Sequence, residues 1–202
     1  MSLKTSYRFI APFYDVFLDR ATRSARQQSL AKLPQQGVAR VLLSGAGTGL
    51  DFPFLPPCHE YTALELTSAM LAQAKKKAGE LRLQWVRGDS MALPFASDSF
   101  DYVVLHLIMA VVPRPQYCLA ETERVLRPGG HILLFDKFLR RGEQAWVRRG
   151  LTPLMGQLAT RLDVVFEDVL EAVPGLRVLA DEPALANGWF RLIELHKDTF
   201  KN

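Results

Sequence analysis

The chain of 202 residues has only two cysteines, Cys58 and Cys118, sixty residues apart and without the short Cys or His spacing of a zinc site. A disulfide framework and a zinc cluster are therefore excluded, no metal is expected, and both thiols are read as reduced packing residues. Long apolar runs are also missing. The longest, Val103 to Pro113, is broken by His106 and falls far short of the ~20 residues that cross a membrane. Met1 to Ile10 lacks the charged-then-apolar architecture of a signal peptide, so the expected setting is cytoplasmic. No internal repeat or low-complexity tract is present.

What remains is 49% hydrophobic and 23% charged, the balance of one globular domain that buries roughly 70% of its unfolded surface. The formal charge of +4 is unevenly placed. Residues 1–40 hold Lys4, Arg8, Arg20, Arg23, Arg26, Lys32 and Arg40 against Asp15 and Asp19, a local +5, so the remainder sums to −1. Phe9, Phe13, Phe17, Ala21 and Ala25 recur at i,i+4 with arginines between them, which predicts one or two amphipathic helices before Pro34 and Gly37. Residues 1–36 are read as a helical cap and 37–202 as a single main domain.

From there short apolar runs alternate with helical patterns. Strands are expected at Arg40–Ser44, Glu60–Glu65, Leu81–Arg87, Tyr102–His106 and His131–Phe138, and helices at Ser68–Gly79 and Gln116–Leu126. A helix near Phe166–Val173 and two antiparallel strands, Arg177–Asp181 and Trp189–His196, complete the pattern. Strand-helix-strand alternation needs crossover connections. The expected fold class is therefore α/β: a Rossmann-like, doubly wound, mostly parallel seven-stranded sheet with helices on both faces and an antiparallel C-terminal hairpin.

Within V-L-L-S-G-A-G-T-G, residues 41–49, Gly45, Gly47 and Gly49 follow the first strand, and Glu65 ends the next strand twenty residues after Gly45. Bare glycines admit a ligand to the backbone, and a carboxylate at the neighbouring strand end can accept from ribose hydroxyls, so the pair reads as a nucleoside site. The dinucleotide spacing G-x-G-x-x-G would need glycine at position 50, where Leu50 stands, and Asp51, Pro53, Pro56 and Pro57 offer negative charge and few N–H groups to a diphosphate. A cationic ligand without phosphate suits the site better, and a nucleotide-dependent oxidoreductase is disfavoured. Asp89, between Gly88 and Ser90 after the third strand, is either an acceptor for an exocyclic amine or a helix N-cap.

Together with Y-T-A-L-E-L-T-S-A-M-L-A-Q-A, V-R-G-D-S-M-A-L-P-F, F-D-Y-V-V and R-V-L-R-P-G-G-H-I-L-L-F, the glycine segment resembles, in order and spacing, the S-adenosylmethionine-dependent methyltransferases of the Rossmann-like class over residues 38–138. The resemblance implies S-adenosyl-L-methionine as cofactor, with Gly45, Gly47 and Gly49 along its methionine part, Glu65 on the ribose, Leu66 and Met70 flanking the adenine, Asp89, Ser90 and Met91 at the adenine edge, and His106 beside them. One position departs from the pattern. The family often carries an acid two residues before the first glycine, and Leu43 stands there.

Methyl transfer is an in-line displacement that asks chiefly for alignment and exclusion of water, with a base where the acceptor is an amine. His106 at the end of the fourth strand is the leading candidate, its alternative being a satisfied core histidine. Asp136, with Lys137, at the end of the fifth strand and Tyr14, with Tyr7, on the leading segment follow. The V-V-P-x-P form after the fourth strand, L-T-P-L-M-G-Q-L at 151–158 and Y-R-F-I-A-P-F-Y-D-V-F at the start are similar to the soluble bacterial phosphatidylethanolamine N-methyltransferases. Basic aromatic stretches, the leading helix and Lys137 to Arg149 around Trp146, fit peripheral contact with an anionic membrane at the inner face, or else solvated faces of packed helices. A soluble small-molecule acceptor and a non-catalytic surface-binding module remain as alternatives. Nucleic acid is not an expected partner, because residues 106–109 read H-L-I-M and no aromatic stacking motif is present.

Overall fold

The computed structural model describes residues 20–142 and 163–199. Residues 20–30 are helical (α1). Then come β1 (Arg40–Ser44), a 3₁₀ turn at Phe52–Phe54, β2 (Glu60–Glu65), α2 (Ser68–Lys75), β3 (Arg82–Arg87), β4 (Phe100–His106), α3 (Pro115–Val125), β5 (Leu126–Lys137), α4 (Phe166–Glu171), β6 (Leu176–Leu185), a second 3₁₀ turn at Ala186–Gly188 and β7 (Phe190–Lys197). The strands form one seven-stranded sheet in the order β3-β2-β1-β4-β5-β7-β6. All neighbours are parallel except β7, which runs antiparallel to both β5 and β6.

Side-chain alternation along the strands explains the layering. Val41 and Leu43 of β1, with Tyr61, Ala63 and Val104, face Leu30, Leu33 and Ala74 on one side of the sheet. Leu42, with Leu64, Val103, Leu105 and Ile132, faces Cys118, Leu119 and Val125 of α3 and Phe166 and Val169 of α4 on the other. Each such aliphatic chain stabilises the sandwich by about 1.5–3 kcal/mol. Both central strands are covered on both faces, so they read as continuous apolar runs rather than alternating ones. Cys118 lies in this core, where burial pushes its thiol up to about 12.

Strand order reverses between β1 and β4, and the carboxyl ends of these neighbours form the switch point where such sheets bind ligands. The expected elements fall close to the observed ones, with two extensions. β5 begins at Leu126 rather than His131, because Gly129 (φ +78°) and Gly130 let the chain bulge between the Phe100↔Leu126 and Tyr102↔His131 pairs. β6 continues to Leu185 rather than ending at Asp181.

At the opposite rim Lys197 ends β7 nearly buried, its Nζ donating to Glu123 O (2.8 Å), Leu126 O (2.6 Å) and Asp98 Oδ1 (2.8 Å). This ammonium ties the last strand to the end of α3 and the start of β5. Lys197→Met would leave two carbonyls without their donor, and we expect a loss of about 2 kcal/mol or more in chemical denaturation, with the switch point at the other end of the strands unaffected.

Candidate active site

Leaving β1, the chain turns through Gly45 (φ +78°), Gly47 (φ +57°) and Gly49 (φ +81°), a left-handed conformation at each glycine that explains their alternation. Two of them also lack room. A Cβ on Gly45 would stand 2.8 Å from Ile108 Cδ1, and one on Gly49 would stand 2.7 Å from the Phe52 ring. Gly47 differs: the nearest atom to a Cβ there is the Gly45 carbonyl at 4.0 Å, so its backbone faces open space.

Glu65 holds this turn to β2. Its Oε2 accepts the Gly47 N–H (3.1 Å), while Oε1 accepts the Thr67 N–H (2.9 Å) and hydroxyl (3.1 Å). Thr67 thus spends its hydroxyl on Glu65 rather than on capping α2. The N–H groups of Gly45 and Ala46 both donate to Leu64 O at 2.9 Å, and Ser44 Oγ donates to Ser90 Oγ at 2.9 Å. These bonds brace the turn from below, so Leu43 is free to be a buried core residue at the position where an acid was expected.

The structure brings β3's exit to the same place. Gly88 N donates to Glu65 O (3.2 Å), and the next residue, Asp89, accepts the Met91 N–H on Oδ1 (2.8 Å). Asp89 therefore does close a local turn, a bond that occupies one of about four acceptor positions on its carboxylate. Met91 packs on the core cluster, Met70 is half-buried, and Leu66 beside Glu65 is 59% exposed.

The three residues expected to assist the reaction are placed very differently. Tyr14 lies outside the described residues, as do Tyr7 and residues 143–162. Asp136 is fully buried, its carboxylate accepting the Lys137 N–H (2.7 Å), the Ala110 N–H (3.0 Å) and the Met109 N–H. Burial pushes its carboxyl up against the pull of these donors and of Lys137, whose own ammonium burial pulls down. Asp136 thereby fixes the segment after β4, in which Leu107 takes φ +57° and Ile108 packs against Gly45.

His106 is 1% exposed at its side chain and bonded at both ring nitrogens. Asp51 Oδ1 accepts from Nδ1 at 2.8 Å, and Nε2 lies 2.9 Å from Ser29 Oγ on α1. With the proton on Nδ1, Nε2 accepts from the Ser29 hydroxyl. Arg26, also on α1, donates to the same Asp51 oxygen at 2.6 Å and to Thr22 Oγ1 at 3.0 Å. Burial alone would raise the Asp51 carboxyl, but His106 and Arg26 hold it well below the usual carboxylate range. Asp51 therefore does not present a bare negative charge to a ligand, as its place after the glycines suggested: the charge is offset inside the protein.

Arg26, Ser29 and Thr67 went unrecognised in the sequence as part of this constellation, although Asp51 itself stood out. Several basic residues are likewise engaged within the chain. Arg141 donates to Asp168 (2.7 Å) and Glu171 (2.6 Å), Arg140 lies 3.7 Å from Asp181, and Arg23 stacks over Phe54.

The chain is similar to several known proteins. The model of the methyltransferase domain family matches residues 42–134. A phosphatidylethanolamine N-methyltransferase of Cereibacter sphaeroides is 31% identical over 189 residues, which cover 91% of this chain and 92% of that protein. A ubiquinone/menaquinone biosynthesis C-methyltransferase UbiE of Roseobacter denitrificans is 33% identical over 141 residues, 67% of this chain but only 56% of that protein. Among solved structures, the YcgJ protein of Bacillus subtilis superposes with TM-score 0.71 at 14% identity, covering 89% of this chain and 100% of that one. The cyclase SpnF does so with TM-score 0.67 at 18% identity, covering 90% and 81%. The chain belongs to the class I, Rossmann-like S-adenosylmethionine-dependent methyltransferases.

The residues present fit that cofactor. The open backbone at Gly47 can accept a close ligand, and the Glu65 oxygens keep acceptor capacity beyond their three bonds, enough for ribose hydroxyls. Gly47→Ala is expected to lower stability by only about 1–2 kcal/mol, the cost of the left-handed conformation, yet to weaken S-adenosylhomocysteine binding about tenfold or more, since 1.4 kcal/mol of crowding suffices for that factor. Glu65→Gln should weaken the same binding by about 1.5–3 kcal/mol, the range of a hydrogen bond to a charged group. Isothermal titration at a temperature where each variant is folded checks both.

Proposed function

We propose that this methyltransferase acts on the amine of a phospholipid head group, converting phosphatidylethanolamine toward its N-methylated forms. The observation that carries the reading is the end-to-end match to the phosphatidylethanolamine N-methyltransferase, 92% of that protein, against 56% of the UbiE relative. A surface feature supports it. Leu66 (59% exposed) follows β2, and Val111 (44%) and Tyr117 (49%) follow β4, all on the catalytic rim of the sheet. Arg114 stacks over Tyr117 in the same patch, with 4.6 Å from its guanidinium carbon to the ring centroid. An apolar and aromatic rim beside a cation suits a layer of acyl chains under anionic head groups. Among the described residues no helix is long and apolar enough to cross a membrane, so contact would be peripheral.

S-adenosylmethionine supplies an electrophilic methyl group on a sulfonium. The neutral amine nitrogen forms the new N–C bond as the S–C bond breaks, and the ammonium product then sheds a proton. The protein's part is alignment and dryness. The glycine turn and Glu65 fix the donor, while the segment 107–112, held by Asp136 through the Ala110 and Met109 N–H groups, shapes the acceptor side. With His106 engaged at both nitrogens and Asp136 buried on three backbone donors, both act by holding geometry, and Tyr14 on the leading segment is the group we propose meets the amine.

The second reading, C-methylation of a quinone precursor, is kept alive by the UbiE relatives. Radiolabelled S-adenosylmethionine with vesicles decides between them. We expect label in N-methylated lipid from vesicles of phosphatidylethanolamine and phosphatidylglycerol, with turnover falling as salt rises. Absence of labelled lipid, with label in a quinone precursor offered in parallel, would overturn the lipid reading.

A further inference from the structure

We infer that the buried Arg26–Asp51–His106–Ser29 network makes α1 a working part of the cofactor site, so that docking of this helix and cofactor binding reinforce one another, with Arg26 as the positioning residue. The inference rests on the cofactor class and not on the identity of the acceptor.

The network joins three segments distant in the chain: α1, the exit of the glycine turn and the end of β4. Asp51 is not a remote anchor for the turn. Gly49 N donates to Ala46 O (3.0 Å) and Phe52 N to Gly49 O (3.3 Å), so residues 46–52 form one tight coil, with the Phe52 ring lying where a Gly49 side chain would be. His106 leads directly into Leu107 and Ile108, whose side chain packs on Gly45. The donor turn and the segment after β4 are therefore both fastened to α1 through one carboxylate and one imidazole.

A buried ion pair gives little stability compared with apolar residues of the same shape, while removing one partner strands a charge. The arrangement makes more sense as a specifier of geometry. If α1 leaves, Asp51 loses its guanidinium and His106 its Ser29 partner, directly beneath the cofactor turn. The exit of the turn at residues 49–52 then loses its tie to α1, while Glu65 and Leu64 hold only its first half. Linkage makes the effect reciprocal: a ligand that favours the formed turn must favour the docked helix to the same extent.

Isothermal titration with S-adenosylhomocysteine, the demethylated product, tests this on wild type, Arg26→Met, Arg26→Lys and Ser29→Ala, alongside amide hydrogen exchange. Couplings between sites are commonly about 5–150-fold. We expect Arg26→Met to weaken binding at least fivefold at a temperature where circular dichroism reports a folded protein, Arg26→Lys to recover part of that loss, and Ser29→Ala to fall between. In wild type, saturating S-adenosylhomocysteine should slow exchange in residues 20–30, and in Arg26→Met it should not. A lowered Tm with dissociation constants within twofold of wild type would reduce the network to a stability element and overturn the inference. Should Arg26→Met fail to fold, Ser29→Ala and the wild-type exchange experiment still decide. Unprotected helix amides in a wild type that binds S-adenosylhomocysteine would overturn the coupling and leave the cofactor assignment standing.

Discussion

The site depends on one carboxylate, Glu65, that accepts from Gly47 N–H on one oxygen and from Thr67 on the other. Without that acceptor the Gly47 N–H would lose its partner and the glycine turn one of its ties to β2. The bond works because β1 and β2 are parallel neighbours in register, Ser44 opposite Leu64, so the two strand ends reach the rim together. Sheet pairing sets the spacing, glycine conformation sets the turn, and the carboxylate locks the two.

A second constraint is that charge buried near the rim must be neutralised from elsewhere in the fold. Asp51 draws on Arg26 and His106, and Asp136 draws on three backbone N–H groups. Arg191 in β7, also buried, draws on Asp181 and Glu167 and stacks over Phe166. Each solution ties two or more elements, and each ties a different pair. Burying these groups costs several kcal/mol of desolvation apiece, so what they add is selection of one arrangement of loops over competing ones.

This division explains what was legible in the sequence. β1 and β2 were readable to the residue because short, fully buried parallel strands leave an apolar signature bounded by turn chemistry, and the Gly45-to-Glu65 spacing is itself local enough to see. α2 stops at Lys75 rather than Gly79, since the chain loses regular helical bonding at Lys76 to Ala78, before the glycine at φ +56°. Of the network around Asp51, the sequence marked Asp51 and His106 separately, the latter with a satisfied core histidine as its alternative, but not their pairing or the part of Arg26 and Ser29 in it. Its members stand 25 and 55 residues from Asp51 along the chain, and no pattern within one element distinguishes an arginine that points to lipid from one that points inward. Periodicity placed Arg20, Arg23 and Arg26 on a basic face; the tertiary fold took Arg26 for its own interior.

The same engagement of charge bears on the proposed contact with a bilayer. Arg26 is paired in the interior, and the exposed Arg140 and Arg141 also have carboxylate neighbours in the chain that offset their charge. Among the described residues, Arg114 is an exposed cation on the rim with the apolar area of Val111 and Tyr117 beside it. Asp136 and His106 fix the segment after β4 from inside the fold, so the shape of the rim beside the glycine turn is set by buried groups rather than by surface ones.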